Sequence, residues 1–195
     1  EGNSAYEKAM GDALKQMKTS RTINELTDVA NQFQRISGAA ESEWLPLYYH
    51  AQCYVLMGFN TSVEAKKRDE YLNVAQKSID AALVLNKNES ELYALQSLLH
   101  TARMVVDPMS RGQQMMGLSG KAIGQALAIN PNNPRAQYLQ LSNEVGQAQF
   151  FGKDISEYCP RINSLKENWD TLETGGEFYP KWGKNEIEQM AKSCQ

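Results

Sequence analysis

The chain has 195 residues, of which 42% are hydrophobic and 22% are charged, a composition typical of a globular protein long enough to bury a core. Its 20 basic and 23 acidic residues give a net charge of -3, and no basic tract is interleaved with aromatic residues, so nothing favours nucleic-acid binding. No apolar stretch approaches the ~18 residues that a membrane span needs. The chain begins with Glu rather than Met, and we expect a periplasmic or otherwise exported protein whose signal peptide has been removed.

Polar turn signals divide the chain into about nine helices, and no stretch alternates polar and apolar residues long enough to predict a strand. Thr22 is placed to cap the second helix and Gly38 to end it, while Pro46 falls in the first turn of the third, where proline is tolerated. The predicted helices cover about 4–18, 23–37, 43–57, 62–85, 89–106, 110–129, 134–147, 153–172 and 184–193.

One segment occurs twice. Residues 79–89 read IDAALVLNKNE and residues 123–133 read IGQALAINPNN, so that a shift of 44 positions aligns Ile79 with Ile123 and Leu83 with Leu127. A repeated helix ending predicts a repeated helical hairpin. We therefore expect three helix pairs, beginning near residues 44, 90 and 134, with Leu127 inside the core.

The stretch AIGQALAINPNNPRAQYL resembles the end of one tetratricopeptide repeat and the start of the next, with Ala126 as the small residue and Pro131 as the terminating proline. Ala51, Tyr54 and Gly58 resemble the small–aromatic–glycine pattern of a first repeat helix. The likeness covers about 44–145 and departs from the consensus at Lys87, where proline is expected, and at Glu144, where an aromatic is expected.

The resemblance implies an all-α fold, a right-handed stack of antiparallel helix hairpins like the tetratricopeptide α–α superhelix. The whole of 1–195 would form one helical-repeat domain. Its parts would be an N-terminal helix pair over 1–40, a tetratricopeptide-like core over 44–149 and a C-terminal capping hairpin over 150–195. The overall pattern also resembles uncharacterised tetratricopeptide-like proteins exported by Bacteroidetes.

Catalytic chemistry finds little support in the sequence. His50 and His100 are the only histidines, and neither has a nucleophile or carboxylate at a motif spacing. No phosphate-binding glycine motif and no zinc-ligand spacing occurs. We expect no enzyme, no cofactor and no metal site.

The first helices of repeat hairpins line the inner face of such a stack. We therefore predict a non-catalytic scaffold that binds a protein or an extended peptide on this concave face. The alternatives are a small-ligand carrier or an enzyme with its site in the groove. The residues predicted to face the groove are Tyr48, Gln52, Glu91, Leu98, Arg135, Tyr138 and Ser142.

The chain has three cysteines, and Cys53 falls inside an apolar helix, where a buried thiol is expected. Cys159 and Cys194 lie at similar distances on either side of Gly175-Gly176, at similar heights if the flanking helices run antiparallel. They either form a disulfide that ties down the C-terminus or remain two free thiols. The aromatic segment 178–184 is expected to close the open end of the stack.

Overall fold

The computed structural model describes residues 2–194, with side chains from residue 5 onward, and confirms the all-helical prediction. Within that range there are nine α-helices, one short 3-10 turn and no strand. The helices are α1 Gly2–Thr19, α2 Ile23–Ala39, α3 Leu45–Phe59, α4 Ala65–Leu85, α5 Ser90–Val106, α6 Pro108–Ile129, α7 Pro134–Phe150, α8 Cys159–Leu172 and α9 Lys184–Lys192, with the 3-10 turn at Ser156–Tyr158.

Side-chain caps set several helix starts. Thr22 and Glu25 form a capping box at α2, and the side chain of Asp107 accepts a hydrogen bond from the Ser110 backbone at α6. The eighth helix begins later than predicted, at Cys159, since the Asp154 carboxylate accepts from the Ser156 backbone (3.1 Å) and the chain makes a 3-10 turn first.

The α3–α4 and α5–α6 pairs form antiparallel hairpins, and the first helices α3, α5 and α7 pack side by side. The cap of α7 also joins two hairpins. The Asn133 amide accepts from the Ala136 backbone (3.0 Å) and donates to Ser90 Oγ (2.9 Å), while Ser90 Oγ donates to the Ala126 carbonyl (2.8 Å). The start of α5, the end of α6 and the start of α7 are therefore tied together by buried hydrogen bonds.

Each of the two repeated segments buries the residues that a helical period places on one face, but Leu83 and Leu127 are only half-buried. Ile79, Ala82, Ile123 and Ala126 are buried, whereas Leu127 is only half-buried. The expectation that Leu127 lies in the core is wrong, since this leucine packs at the rim of a buried cluster and lines a groove that residues of α7 and α8 also line.

Three buried clusters hold the described residues together. The largest joins α1 to α5, a second joins α7, α8 and α9 around Trp169, and a third links α5, α6 and α7. No helix in the described range is long and apolar enough to span a bilayer.

A segment that we call the strap, residues 173–183, leads from α8 to α9 and crosses the N-terminal ends of α3, α5 and α7. Phe178 and Tyr179 pack against the largest cluster. The strap thus lies over the first helices of the hairpins rather than over the end of the stack. The structure also joins Cys159 and Cys194 by a disulfide with Cα atoms 5.6 Å apart, while Cys53 is a buried free thiol.

Candidate functional site

The residues predicted to form a binding surface lie largely inside the protein. Tyr48, Gln52, Glu91 and Arg135 are buried, and the exposed fraction of Arg135 is only 2%. Leu98, Tyr138 and Ser142 are half-buried. The first helices pack side by side, but the strap crosses their N-terminal ends, where Tyr48, Glu91 and Arg135 are buried.

Arg135 is the centre of this buried region. Its Nε and Nη2 donate to the two carboxylate oxygens of Glu91 (2.8 and 2.9 Å), and its Nη1 donates to Oε1 of Glu173 in the strap (2.7 Å). Burial alone would lower the pKa of Arg135, but the hydrogen bonds and charge of Glu91 outweigh it and raise that pKa. The guanidinium therefore stays charged and joins α5, α7 and the strap.

Aromatic side chains complete the cover. Trp182 Nε1 donates to the Tyr48 hydroxyl (2.8 Å), and the Tyr49 hydroxyl donates to the Phe178 carbonyl (2.7 Å). The Tyr179 hydroxyl donates to Glu89 (3.0 Å), and burial together with that carboxylate raises the pKa of Tyr179 to about 12. These contacts join residues more than 80 positions apart, which is why spacing along the chain did not reveal them.

An open groove lies between α7 and α8, beside the end of α6. Its volume is about 700 Å³, within the range of ~300–1,000 Å³ usual for ligand pockets. The lining residues are Leu127, Pro131, Gln137, Gln140, Leu141, Pro160, Arg161, Ser164, Leu165, Asn168 and Leu172. We call this the leucine groove.

The chemistry of the leucine groove is simple. Four leucines and two prolines supply an apolar wall, and three amides and a serine supply neutral polar contacts. Arg161 is the one charged lining residue, and it pairs with Glu144 of α7. Such a groove suits a largely apolar molecule that carries an acidic group.

The leucine groove offers no strong metal ligand. None of its lining residues is a histidine, cysteine, methionine or tyrosine, the side chains that usually bind haem iron. Any metal-bearing molecule would be recognised there through its organic part.

A second cavity, of about 330 Å³, lies between the strap and the N-terminal ends of α5 and α7. Its wall includes Glu91 and Arg135, which pair with each other, Glu89, which accepts from the Tyr179 hydroxyl, and Gly175-Gly176. It is small and polar, so it suits an extended apolar ligand less well than the leucine groove does.

The two histidines have structural partners. Nδ1 of His50 lies 2.7 Å from Ser78 Oγ, and burial lowers the pKa of His50. His100 is half-buried, with Nε2 3.1 Å from the Gln96 amide. The structure brings no group of three or more His, Cys, Asp or Glu side chains together as a metal site among the residues it describes.

Sequence reasoning missed the leucine groove, although α8 carried a signal for it. Arg161, Leu165, Asn168 and Leu172 follow one another at steps of four, three and four residues, which places them on one helix face. Whether this face of α8 is covered depends on tertiary contacts, which the spacing of residues along the chain does not show.

The fold defines an all-α protein of helical-repeat-like architecture, with an apolar groove at its C-terminal side. The chain matches no protein-family model, and no curated protein matches it in sequence. Among solved structures it is similar to the HusA haemophore from Porphyromonas gingivalis. That likeness has a TM-score of 0.81 and 26% sequence identity, and it covers 97% of this chain and 92% of the other.

This likeness corrects the predicted function. The similar protein is a haemophore, a carrier of haem, which is a small ligand rather than a protein or peptide partner. The expectation of a protein-binding scaffold is therefore wrong, and the small-ligand alternative agrees better with the comparison. The burial of Tyr48, Glu91 and Arg135 beneath the strap gives a physical reason.

Proposed function

We propose that this protein is a non-catalytic carrier of haem or of a closely related porphyrin. The observation that carries the proposal is the likeness to the HusA haemophore, which extends over nearly the whole of both chains. The identity of 26% adds sequence similarity to the shared fold.

The leucine groove is the binding site in this proposal. The faces of a porphyrin are apolar, so covering one of them with leucine and proline side chains removes apolar surface from water. Leu127 and Leu172 are half-buried and remain accessible to a ligand, whereas Leu141 and Leu165 are anchored in or beside the core. The rigid wall and the accessible rim together form a preformed surface for a flat molecule.

Recognition in this site uses the porphyrin ring rather than the iron. The lining side chains include no haem ligand of the usual kinds, so the iron gains no bond from them. We expect metal-free protoporphyrin IX to bind with an affinity similar to that of haem.

We further propose that the carrier is related to tetratricopeptide-repeat proteins and works outside the cytoplasm, in the periplasm or beyond it. The repeated segment over 79–89 and 123–133 supports the first point. The Cys159–Cys194 disulfide supports the second, because such bonds persist mainly in oxidising compartments.

A titration of the protein with haemin, followed by the absorbance of the porphyrin, tests the proposal. Leu127→Gln places an amide in the apolar wall and should weaken binding roughly tenfold. Leu83→Gln is the matched control, since Leu83 is the repeat equivalent of Leu127, is also half-buried and does not line the groove. It should leave the affinity unchanged.

Two results would overturn the proposal: no saturable binding of haemin by the wild-type protein, or equal loss in the Leu127 and Leu83 variants. A parallel titration with metal-free protoporphyrin IX tests the role of the iron. If the protein binds haemin but not metal-free protoporphyrin IX, binding requires an iron ligand that lies outside the leucine groove.

A further inference from the structure

The rim of the leucine groove carries an ion pair that differs from the buried one. Arg161 Nη2 donates to Oε1 of Glu144 at 3.4 Å, and Nη1 contacts the same carboxylate. The exposed fractions are 49% for the Arg161 side chain and 32% for that of Glu144. Both charges thus remain in contact with water.

The two residues of this ion pair differ in their position relative to the leucine groove. Arg161 lines the groove, whereas Glu144 lies on α7 one turn beyond Gln140 and Leu141 and outside the lining set. Each pair of adjacent N–H donors on a guanidinium forms a planar fork that fits one carboxylate. Nη1 and Nη2 of Arg161 both contact Glu144, so a ligand carboxylate that binds this pair of donors must displace Glu144 or share them with it.

A ligand carboxylate can replace Glu144 at Arg161, whereas it cannot replace the buried partners of Arg135. A partly exposed carboxylate that leaves its partner is solvated at once, and exposed ion pairs contribute little to stability. Arg135, in contrast, is 2% exposed and donates to both Glu91 and Glu173, so separating it from them would leave charges buried without partners.

We propose that Arg161 and Glu144 form an exchangeable charge latch that makes the leucine groove selective for carboxylate-bearing porphyrins. In the free protein Glu144 occupies the fork of Arg161. In the complex a propionate of the ligand takes that place, and Glu144 turns to solvent. The inference rests on the proposed function and adds to it the part of the ligand that is selected.

The latch predicts opposite effects for its two members. Affinities of protoporphyrin IX and of its dimethyl ester, both added from dimethyl sulfoxide, are measured by porphyrin fluorescence. Arg161→Gln should weaken the binding of the free acid about three- to tenfold, because it loses a charge-assisted hydrogen bond. Glu144→Gln should strengthen it about two- to fivefold, because the competitor no longer carries a charge. Neither change should alter the affinity for the dimethyl ester.

The chain offers a matched control in Asp170→Asn. Asp170 lies on the same helix as Arg161 and pairs with Lys184 at 2.7 Å, also in contact with water, but it does not line the groove. This variant should bind both porphyrins like the wild type. Thermal unfolding of each variant checks that the fold is intact.

The outcomes separate the two proposals. If wild-type protein binds both porphyrins but Glu144→Gln leaves the free-acid affinity unchanged or lowers it, the latch is refuted and the carrier proposal stands. Equal weakening of acid and ester by Arg161→Gln would also refute the latch. If the wild type binds neither metal-free porphyrin, the latch fails, and the carrier proposal fails with it only if haemin is not bound either.

Discussion

Gly183 shows how one residue without a side chain permits the C-terminal packing. It caps α9 with φ of 104°, in the left-handed region that favours glycine. A Cβ atom added there would lie 2.6 Å from the Trp169 ring and 3.5 Å from Cγ of Arg135. The strap can therefore approach α7 and α8 only if this position carries no side chain.

We predict that Gly183→Ala lowers the free energy of unfolding by about 2–4 kcal/mol, through backbone strain and the clash with Trp169. Gly120→Ala is the control, because Gly120 lies in α6 and a Cβ there has no heavy atom within 4 Å. That change should stabilise the protein by about 0.5–1 kcal/mol. Urea unfolding measures both, and a neutral Gly183→Ala would contradict the packing of the strap.

The strap is the element that decides which surfaces of the protein are open. It is anchored to α5 and α7 through Arg135 and to α3 through Trp182 and Phe178. These anchors cover the N-terminal ends of the first helices and leave only a small polar cavity beneath the strap. The leucine groove, on the other side of α7, stays open.

We predict that Arg135→Met lowers the free energy of unfolding by about 3–5 kcal/mol, because Glu91 and Glu173 are left without their partner in a poorly solvated site. Lys184→Met removes the exposed ion pair with Asp170 and should have little effect. Chemical denaturation of the two variants makes the comparison. Similar losses in both would show that the Arg135 network is not the anchor of the strap.

The disulfide closes the C-terminal element, since it joins the start of α8 to the residues after α9. We predict that the unfolded, unreduced protein has one reactive thiol, that of Cys53. Cys194→Ser should lower the free energy of unfolding by about 2–4 kcal/mol, because the unfolded chain loses its cross-link. Three reactive thiols in the wild type would show that the bond does not form.

The stability of the whole molecule should depend on pH through its histidines. Burial lowers the pKa of both His50 and His100 below the ordinary 6.5. The unfolded chain therefore binds protons more readily than the folded one as pH falls through about 6.5, and stability decreases. Above that pH both states hold neutral rings, and the histidine contribution is fully present.

We predict that His50→Gln loses less stability than the wild type between pH 7.5 and pH 5.5, because the variant has no ring to protonate at that site. Urea unfolding at both pH values measures the difference. His100→Gln is a useful comparison, since His100 is half-buried and should account for a smaller part of the pH dependence. An equal pH dependence in wild type and His50→Gln would contradict the prediction.

Local features of the sequence were sufficient to predict the helices. The periodic apolar residues, the cap at Thr22, the first-turn Pro46 and the repeated Asn-x-Asn endings place most helix boundaries within a few residues of the structure. These signals act between residues one to four positions apart, and residues three or four positions apart in the sequence are neighbours on the surface of a helix. The repeat over 79–133 likewise predicted how the hairpins follow one another.

The candidate site could not be predicted in the same way. In the sequence, Glu144 stands out only as a departure from the tetratricopeptide pattern and α8 only as part of a capping hairpin, yet Glu144 pairs with Arg161 of α8 at the rim of the leucine groove. By itself the sequence determined an all-helical chain of stacked hairpins, because helix formation and hairpin order depend on local patterns. Only the tertiary structure decided that the strap covers the first helices and that the groove beside α8 stays open, because burial depends on contacts between residues far apart in the chain.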